Sequence, residues 1–393
     1  MANFCAISSM VTLLNPSVRN ISEQEERIFS IASCKDIKET LKTKKVSIVY
    51  NFLIFALQIL DVLLQKLLLM EFLTAYQKLV ADSLKHLNQG KSPEGLYQPI
   101  DYLLDLGGKR LRPVLVLMAC EAFGKKAEAA LPAALAVEVF HNFTLMHDDI
   151  MDKASMRRGA QTVHEKWDIN TAILSGDAML VQAYIFLNGY ESKLFQSLTT
   201  LFSKTALEVC EGQQYDVDFE SRDDVRIEDY LEMIRLKTAV LVGCAMQMGA
   251  AVGGATSKDA QQLYLFGEQL GIAFQLQDDY LDTFGEAASF GKRIGGDIAE
   301  NKKTVLVHLA LRNSTENQQN ELQKWLSETP KDETEKIAAV TKIFKETGAD
   351  EATLSLVQQY TQQAFNALEK VALNLEMKQR FVAFGNWLMQ RTH

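Results

Sequence analysis

Three carboxylates and two arginines lie close together in one largely apolar stretch, residues 140–159. If the stretch is helical, Asp148 and Asp152 are one turn apart on the same face, and Asp149 adds a third carboxylate beside them. Like charges at this spacing destabilise a helix, and hard cations such as Mg²⁺ prefer carboxylate oxygens. We therefore expect a divalent cation at this face.

The two adjacent arginines, Arg157 and Arg158, follow the acidic residues directly. A guanidinium fork matches the oxygens of a phosphate group, to which it can donate two parallel hydrogen bonds. Metal-binding carboxylates beside a phosphate-binding pair indicate a phosphorylated substrate that is bound together with Mg²⁺.

The same acidic pattern occurs a second time, at Asp278, Asp279 and Asp282. Gln275 comes about one turn earlier and falls on the same helical face. A single DDxxD pattern is as consistent with a solvated acidic surface as with a metal site. The second copy, in another apolar helical segment, favours the metal site. We therefore predict that two helices present their carboxylates to a small cluster of Mg²⁺ ions from both sides.

The composition bounds the fold class and the type of partner. Only 6 prolines and 21 glycines in 393 residues favour long helices over a turn-rich β protein. The net charge of −9 argues against nucleic acid as the main partner. The five cysteines show neither CxxC pairing nor metal-ligand spacing, which predicts a reducing, cytoplasmic location.

Residues 1–69 contain no candidate site chemistry. The first 20 residues lack a basic segment followed by an apolar run, so we expect no signal peptide. Residues 46–70 are strongly apolar, but Asp61 and Lys66 interrupt them, and the uncharged part is shorter than the ~18 residues of a membrane-spanning helix. Three interpretations stay open: a helix on a membrane surface, an additional packed helix, or a leader from an upstream start codon, which we favour.

Five motifs, in this order, resemble those of the polyprenyl synthetase family, the trans-isoprenyl diphosphate synthases. They are GGKRLRP at residues 107–113, DDIMD followed by RRG, Lys237-Thr238, FQLQDDYLD at residues 274–282, and the glycine-rich stretch from Gly291-Lys292 to Lys302. The resemblance covers about residue 70 to the C-terminus, which we expect to form one catalytic domain, residues 70–393. It implies the all-α isoprenoid synthase fold, a large helical bundle around an apolar cavity, assembled as a homodimer.

The resemblance also assigns roles to individual residues. It makes Asp148, Asp152 and Asp278 the ligands of Mg²⁺ and adds Asp149, Thr238 and Gln275 to the catalytic group. The side chains that it assigns to isopentenyl diphosphate are Lys109, Arg112, His141 and Arg158. Those that it assigns to the diphosphate of the allylic substrate are Arg157, Lys237, Lys292 and Lys302.

The activity that the resemblance implies is prenyl transfer. An allylic diphosphate ionises, and the negative charge that gathers on the leaving group is stabilised by Mg²⁺ and basic side chains. The double bond of isopentenyl diphosphate attacks the resulting carbocation. Loss of a proton completes the step, for which the departing diphosphate can serve as the base.

Phe143 is predicted to help set the product length, because it precedes Asp148 by five residues, or about 7.5 Å along a helix. A helical wheel places it about 140° from Asp148, so helix geometry alone does not show it facing the cavity. In family members with this short DDxxD motif, an aromatic residue here is associated with geranylgeranyl products. A second aromatic residue at the next position, here Thr144, is associated with farnesyl products, so geranylgeranyl diphosphate is favoured.

Other functions remain as alternatives. Farnesyl or longer-chain products are possible for the same family, although no aromatic residue follows the Lys-Thr pair, where Ala239, Val240 and Leu241 stand. A class I terpene cyclase carries one DDxxD motif, but the intact second motif opposes that function. A non-catalytic partner subunit would be expected to lose its acidic motifs. His147 with Asp148 could indicate an HD-type hydrolase, but the other histidines show no matching arrangement.

Overall fold

The computed structural model describes residues 70–85, 87–222, 224–285, 294–327, 330 and 333–390. The chain divides into two units, Met1–Leu68 and Leu69–His393, and every described residue belongs to the second. The predictions for residues 1–69 and for Lys292 lie outside the described residues.

The described part of the chain is almost entirely helical, which confirms the predicted all-α fold class. The first helices are α1 (residues 70–84), α2 (Glu94–Asp105), α3 (Leu111–Ala122), a 3₁₀ turn (Ala127–Ala130) and α4 (Leu131–Met151). A small antiparallel hairpin follows, with β1 at Met156–Arg157 and β2 at Ala160–Gln161. The next helices are α5 (Val163–Lys166), α6 (Ile169–Leu187), α7 (Ser192–Glu220) and α8 (Ile227–Ile234).

A π-helical turn, Arg235–Ala239, connects α8 to α9 (Val240–Gly253). The remaining helices are α10 (Ser257–Phe284), α11 (Gly296–Ala299), α12 (Val305–Asn313), α13 (Glu316–Ser327), α14 (Glu333–Glu346), α15 (Ala349–Glu369) and α16 (Leu375–Met389). The apolar residues 227–252 predict a helix, and the structure has a helical run over Ile227–Gly253 that contains the π-helical turn.

Two clusters of buried apolar side chains hold the described helices together. The larger cluster lies among α1, α3, α4, α6, α9 and α10, and the smaller one among α8, α10, α12, α14 and α15. Helices α3 and α9 approach closely because Gly249 has no side chain: a Cβ there would lie 2.1 Å from the carbonyl oxygen of Val116. Both clusters include residues of α10, which carries the second acidic motif.

Helix α2 begins within a segment whose composition is typical of a loop. Gly90, Pro93 and Gly95 predict a loop over residues 88–99, but α2 begins at Glu94 and includes Pro99. Although proline lacks an amide donor, its ring is buried on the same apolar face as Ile100, Leu103 and Leu104. Packing of this face therefore outweighs the local signal for a loop.

Three helical segments are long and apolar enough to cross a membrane: Ala127–Met151, Ile169–Leu187 and Ile227–Gly253. The first and third are 67% and 72% buried inside the protein, whereas the second, which is α6, is only 28% buried. The first and third segments are apolar because they lie in the core of the bundle. Helix α6, in contrast, leaves apolar side chains uncovered.

Candidate active site

A cavity of about 430 Å³ lies between α4, α7 and the π-helical turn. Its polar lining includes Arg112, His141, Asp148, Lys237 and Thr238 together with glutamines of α7. Its apolar lining includes Phe143, Leu145, Met151, Val209 and Leu241. The site can therefore hold a molecule that is anionic in one part and hydrocarbon in another.

Helix α4 forms one wall of the cavity with two adjacent stripes of residues. Phe143, His147 and Met151 follow one another at intervals of four, and Thr144 and Asp148 form the neighbouring stripe. Phe143 thus lines the same cavity as Asp148, which the helical wheel alone did not show. The side chain of Phe143 is 9% exposed and forms part of the cavity wall.

The three carboxylates of the first motif have different surroundings. Asp149 is 2% exposed and accepts hydrogen bonds from Nε of Arg157 at 2.8 and 2.9 Å. Burial raises the pKa of Asp148 to about 6, against the opposing charge of Lys237. Burial also raises the pKa of Asp152, and Asp216 acts in the same direction. Asp148 and Asp152 are therefore poorly stabilised as anions by protein groups alone, which suits a bound cation.

The π-helical turn places Lys237 and Thr238 at the cavity. Lys237 forms an ion pair with Asp216 of α7, a carboxylate that the sequence analysis did not identify. The close approach of α7 depends on Gly212, where a Cβ would lie 2.2 Å from the backbone nitrogen of Lys237. The neighbouring hydroxyl of Thr238 donates a 3.4 Å hydrogen bond to Gln275 of α10.

The second acidic motif is anchored from several directions. The hydroxyl of Tyr230 donates to Asp279, and Nε2 of Gln275 donates to the same carboxylate at 3.2 Å. Burial nevertheless raises the pKa of Asp279 to about 7. Asp282 accepts a 2.9 Å hydrogen bond from the backbone nitrogen of Asp297. The side-chain oxygen Oδ1 of Asp297 lies 3.4 Å from Nζ of Lys302. This network links α10 to the loop that carries Lys302.

Two of the predicted binding residues for isopentenyl diphosphate, Arg112 and His141, lie in contact. Nη1 of Arg112 lies 3.2 Å from Nε2 of His141. Burial and the nearby Arg112 charge hold the pKa of His141 well below its usual range, so the ring is neutral and Nε2 accepts. Nε of Arg112 is buried and has no hydrogen-bond partner among the described residues, which leaves a donor for an anionic ligand.

The GGKRLRP segment turns through two glycines with positive φ angles, +78° at Gly107 and +131° at Gly108. Arg158 donates to the carbonyl oxygen of Gly107, and the carbonyl oxygen of Lys109 accepts a 2.7 Å hydrogen bond from Gln77. These contacts tie the segment to the hairpin loop on one side and to α1 on the other.

Arg110, within the same segment, forms a buried ion pair with Glu138 of α4. This pair was not predicted from the sequence. Glu138 is the one acidic residue in the apolar stretch that precedes the first acidic motif. A buried carboxylate needs a cationic partner, so its position could have indicated a pair with a nearby arginine.

Comparisons with known proteins agree with this geometry. Residues 93–344 match the polyprenyl synthetase family. The chain belongs to this family. A geranylgeranyl diphosphate synthase from Methanosarcina mazei is 46% identical over 217 residues, which cover 55% of this chain and 67% of that protein.

Two solved structures resemble this polyprenyl synthetase along almost their whole length. A crystal structure of a geranylgeranyl pyrophosphate synthase is 49% identical, with a TM-score of 0.78, and covers 81% of this chain and 98% of its own. The enzyme from Corynebacterium glutamicum, complexed with isoprenyl diphosphate and magnesium, is 28% identical with a TM-score of 0.69, covering 84% and 98%. The predicted isoprenoid synthase fold is thereby confirmed, and this polyprenyl synthetase is a prenyltransferase.

The carboxylates of the described residues do not by themselves form a complete metal site. Among the described residues, no three His, Cys, Asp or Glu side chains lie close enough together to hold a metal ion. Mg²⁺ commonly binds through one or two carboxylates plus substrate phosphates. The separated carboxylates Asp148, Asp152 and Asp278 fit that mode, in which a diphosphate supplies the other oxygens.

Proposed function

We propose that the protein is a Mg²⁺-dependent geranylgeranyl diphosphate synthase that extends allylic diphosphates with isopentenyl diphosphate. The observation that carries this proposal is the cavity in which Asp148 and Lys237 share a wall with Phe143. Its volume of about 430 Å³ suits a small molecule with a hydrocarbon tail. The similarity to geranylgeranyl diphosphate synthases supports the same product.

Each group in the cavity has a defined task in this reaction. Mg²⁺ held by Asp148, Asp152 and Asp278 would supply positive charge against the leaving diphosphate. Lys237 and Arg157 add charge beside it, and each is already oriented by a carboxylate, Asp216 and Asp149 respectively. The apolar wall excludes water from the allylic carbocation, which water would otherwise quench.

We assign the second substrate to the part of the same cavity that Arg112 and His141 line. Arg112 and Arg158 offer guanidinium donors to the diphosphate of isopentenyl diphosphate, and neutral His141 orients Arg112 by accepting its hydrogen bond. Because His141 is neutral, the charge of this subsite comes from arginine and lysine and does not depend on pH near neutrality. We assign Lys302, and Lys292 beyond the described residues, to the allylic diphosphate.

We also propose that the protein is a homodimer that uses α6. This helix exposes five large apolar side chains: Ile169, Ile173, Leu174, Val181 and Ile185. A helix that exposes this many large apolar side chains is uncommon on a monomer and is typical of an interface. A second copy would cover the same face on both subunits by two-fold symmetry.

The dimer can be tested with one variant and one control. Leu174 is 60% exposed on α6, whereas Leu375 is 71% exposed at the start of α16. Light scattering after size-exclusion chromatography should show a dimer for the wild type and Leu375→Glu, and a monomer for Leu174→Glu. An unchanged mass for Leu174→Glu would reject the α6 interface.

The product is tested by giving the purified protein dimethylallyl diphosphate, isopentenyl diphosphate and Mg²⁺. Chromatography of the dephosphorylated alcohols should show geranylgeraniol as the main product. Farnesol or longer alcohols would correct the product length, and the absence of any condensation product would point to a non-catalytic subunit.

We also propose a cytoplasmic location, which the free thiols of Cys120, Cys210 and Cys244 support. Cell fractionation tests this location.

A further inference from the structure

Four aromatic rings follow one another from the protein core to the cavity wall. Phe202 packs edge-on against Phe140 with ring centroids 5.3 Å apart, and Phe140 lies 5.6 Å from Phe143. The ring of His147 then packs edge-on against Phe143 at 4.8 Å. Phe143 is therefore held between a fully buried phenylalanine on one side and an imidazole on the other.

The imidazole at the end of this row is itself anchored. Nε2 of His147 lies 3.2 Å from the carbonyl oxygen of Ile173, to which it donates. Both Phe143 and His147 line the cavity. The position of the Phe143 ring in the cavity wall thus depends on a side chain that the prenyl-transfer chemistry does not use.

A glycine on α6 provides the space that the imidazole occupies. A Cβ at Gly176 would lie 2.2 Å from Nε2 and 2.5 Å from Cδ2 of His147. These atoms are the outer end of a side chain that can rotate, so Gly176→Ala would displace the imidazole and leave the backbone in place. The displaced ring would lose its bond to Ile173 and move toward Phe143 and the cavity.

We propose that His147, seated on Gly176, is a specificity-determining residue that fixes how far Phe143 projects into the cavity and so limits product length. The inference rests on the proposed prenyl elongation but holds for whatever product length the wild type has. Removing the imidazole should let Phe143 swing back and deepen the cavity. Crowding the imidazole at Gly176 should make the cavity shallower.

The test compares the alcohols made by four variants with those of the wild type. His147→Ala should raise the amount of product one isoprene unit longer, relative to the main wild-type product, by about tenfold. Gly176→Ala should raise the relative amount of product one unit shorter by about the same factor, which is typical of a change in pocket size. Gly189→Ala is the matched control, because a Cβ at Gly189 meets no atom within 4 Å. Its product distribution should match that of the wild type.

The double variant His147→Ala/Gly176→Ala separates this mechanism from a general loosening of the fold. Without the imidazole, the methyl group that Gly176→Ala introduces has nothing to displace, so the double variant should make the same products as His147→Ala. Shorter products from the double variant, or wild-type products from His147→Ala, would overturn the inference. A wild type that forms no condensation product would instead refute the proposed function.

Discussion

The hydroxyl of Tyr230 donates a hydrogen bond to the carboxylate of Asp279, which is 4% exposed. Tyr230 lies on α8, and Asp279 is the middle carboxylate of the second acidic motif on α10. The bond stabilises a buried charge directly beside Asp278, a proposed Mg²⁺ ligand. Tyr230 is therefore a positioning residue for the second motif, and its role acts through Asp279.

Tyr230→Phe should lower kcat/KM by about 10- to 100-fold, because a hydrogen bond to a charged group is worth about 1.5–3 kcal/mol. Tyr360→Phe is a suitable control, since Tyr360 is a partly buried tyrosine on α15, away from the second acidic motif in the chain. Steady-state kinetics with varied Mg²⁺ should show that the variant needs more Mg²⁺ for half-maximal rate. If the Mg²⁺ dependence of Tyr230→Phe equals that of the control, Tyr230 does not position the second motif.

Asp148→Ala and Asp278→Ala should each lower turnover by about 100-fold or more, because each removes charge stabilisation of the leaving group. Glu351→Ala, which changes an exposed carboxylate on α15, should keep wild-type turnover. Near wild-type turnover of either aspartate variant at saturating Mg²⁺ would contradict the two-sided arrangement of metal ligands.

Phe143→Ala should lengthen the products, because it removes the largest apolar side chain of α4 from the cavity wall. The measurement is chromatography of the dephosphorylated alcohols. The buried Phe140, which the structure places behind Phe143 and outside the cavity lining, gives a useful comparison as Phe140→Leu, with little change in product length expected. An active Phe143→Ala enzyme with an unchanged product distribution would exclude this role.

A chain that starts at Met70 should fold and retain activity, because all the site motifs lie beyond it. Expression yield, thermal unfolding and turnover of the two chains are the measurements. An insoluble or inactive shorter chain beside an active full chain would show that residues 1–69 are structurally required.

Tyr190→Phe should lower the free energy of unfolding by about 1–2 kcal/mol. The hydroxyl of Tyr190 donates to the carbonyl oxygen of Ala129 at 3.1 Å and accepts from the backbone nitrogen of Ala133 at 3.2 Å. These two hydrogen bonds join the start of α4 to the connection after α6.

The effect of Tyr190 should also depend on pH. Burial raises the pKa of Tyr190 from 10.0 to about 12. Because the pKa of Tyr190 is higher in the folded state than in the unfolded state, its hydroxyl contributes fully to the free energy of unfolding below pH 10. This contribution declines as the pH rises toward 12. Denaturant unfolding at several alkaline pH values should therefore show a difference between wild type and variant that shrinks as pH rises. A constant difference would contradict the shifted pKa.

The sequence predicted the fold class and several of the residues that line the cavity, because both depend on strong local patterns. The acidic motifs, the Lys-Thr pair and the glycine turn are contiguous in the chain, and apolar periodicity marks the helices that carry them. Arg112 and His141 were correctly placed together, although 29 residues separate them. The family resemblance supplied this pairing, and spacing alone did not.

The partners of these residues could not be predicted because they depend on tertiary packing. Asp216 reaches Lys237 only because Gly212 allows α7 to approach the π-helical turn. Tyr230 reaches Asp279 from a helix that is 49 residues away in sequence. No local pattern distinguishes these side chains from ordinary surface carboxylates or core tyrosines.

The π-helical turn at Arg235–Ala239 sets the rotational phase of α9 relative to α8. A π-helical turn contains about one residue more than an α-helical turn, and each residue of an α-helix advances the chain by about 100°. Removing the extra residue would relax the backbone but rotate every later position of α9, turning Gly249 away from α3. The irregular turn that presents Lys237 and Thr238 is thus tied to the packing of the bundle. An evolutionary change that converted the π-helical turn into a regular α-helix would therefore also have to repack the interface between α9 and α3.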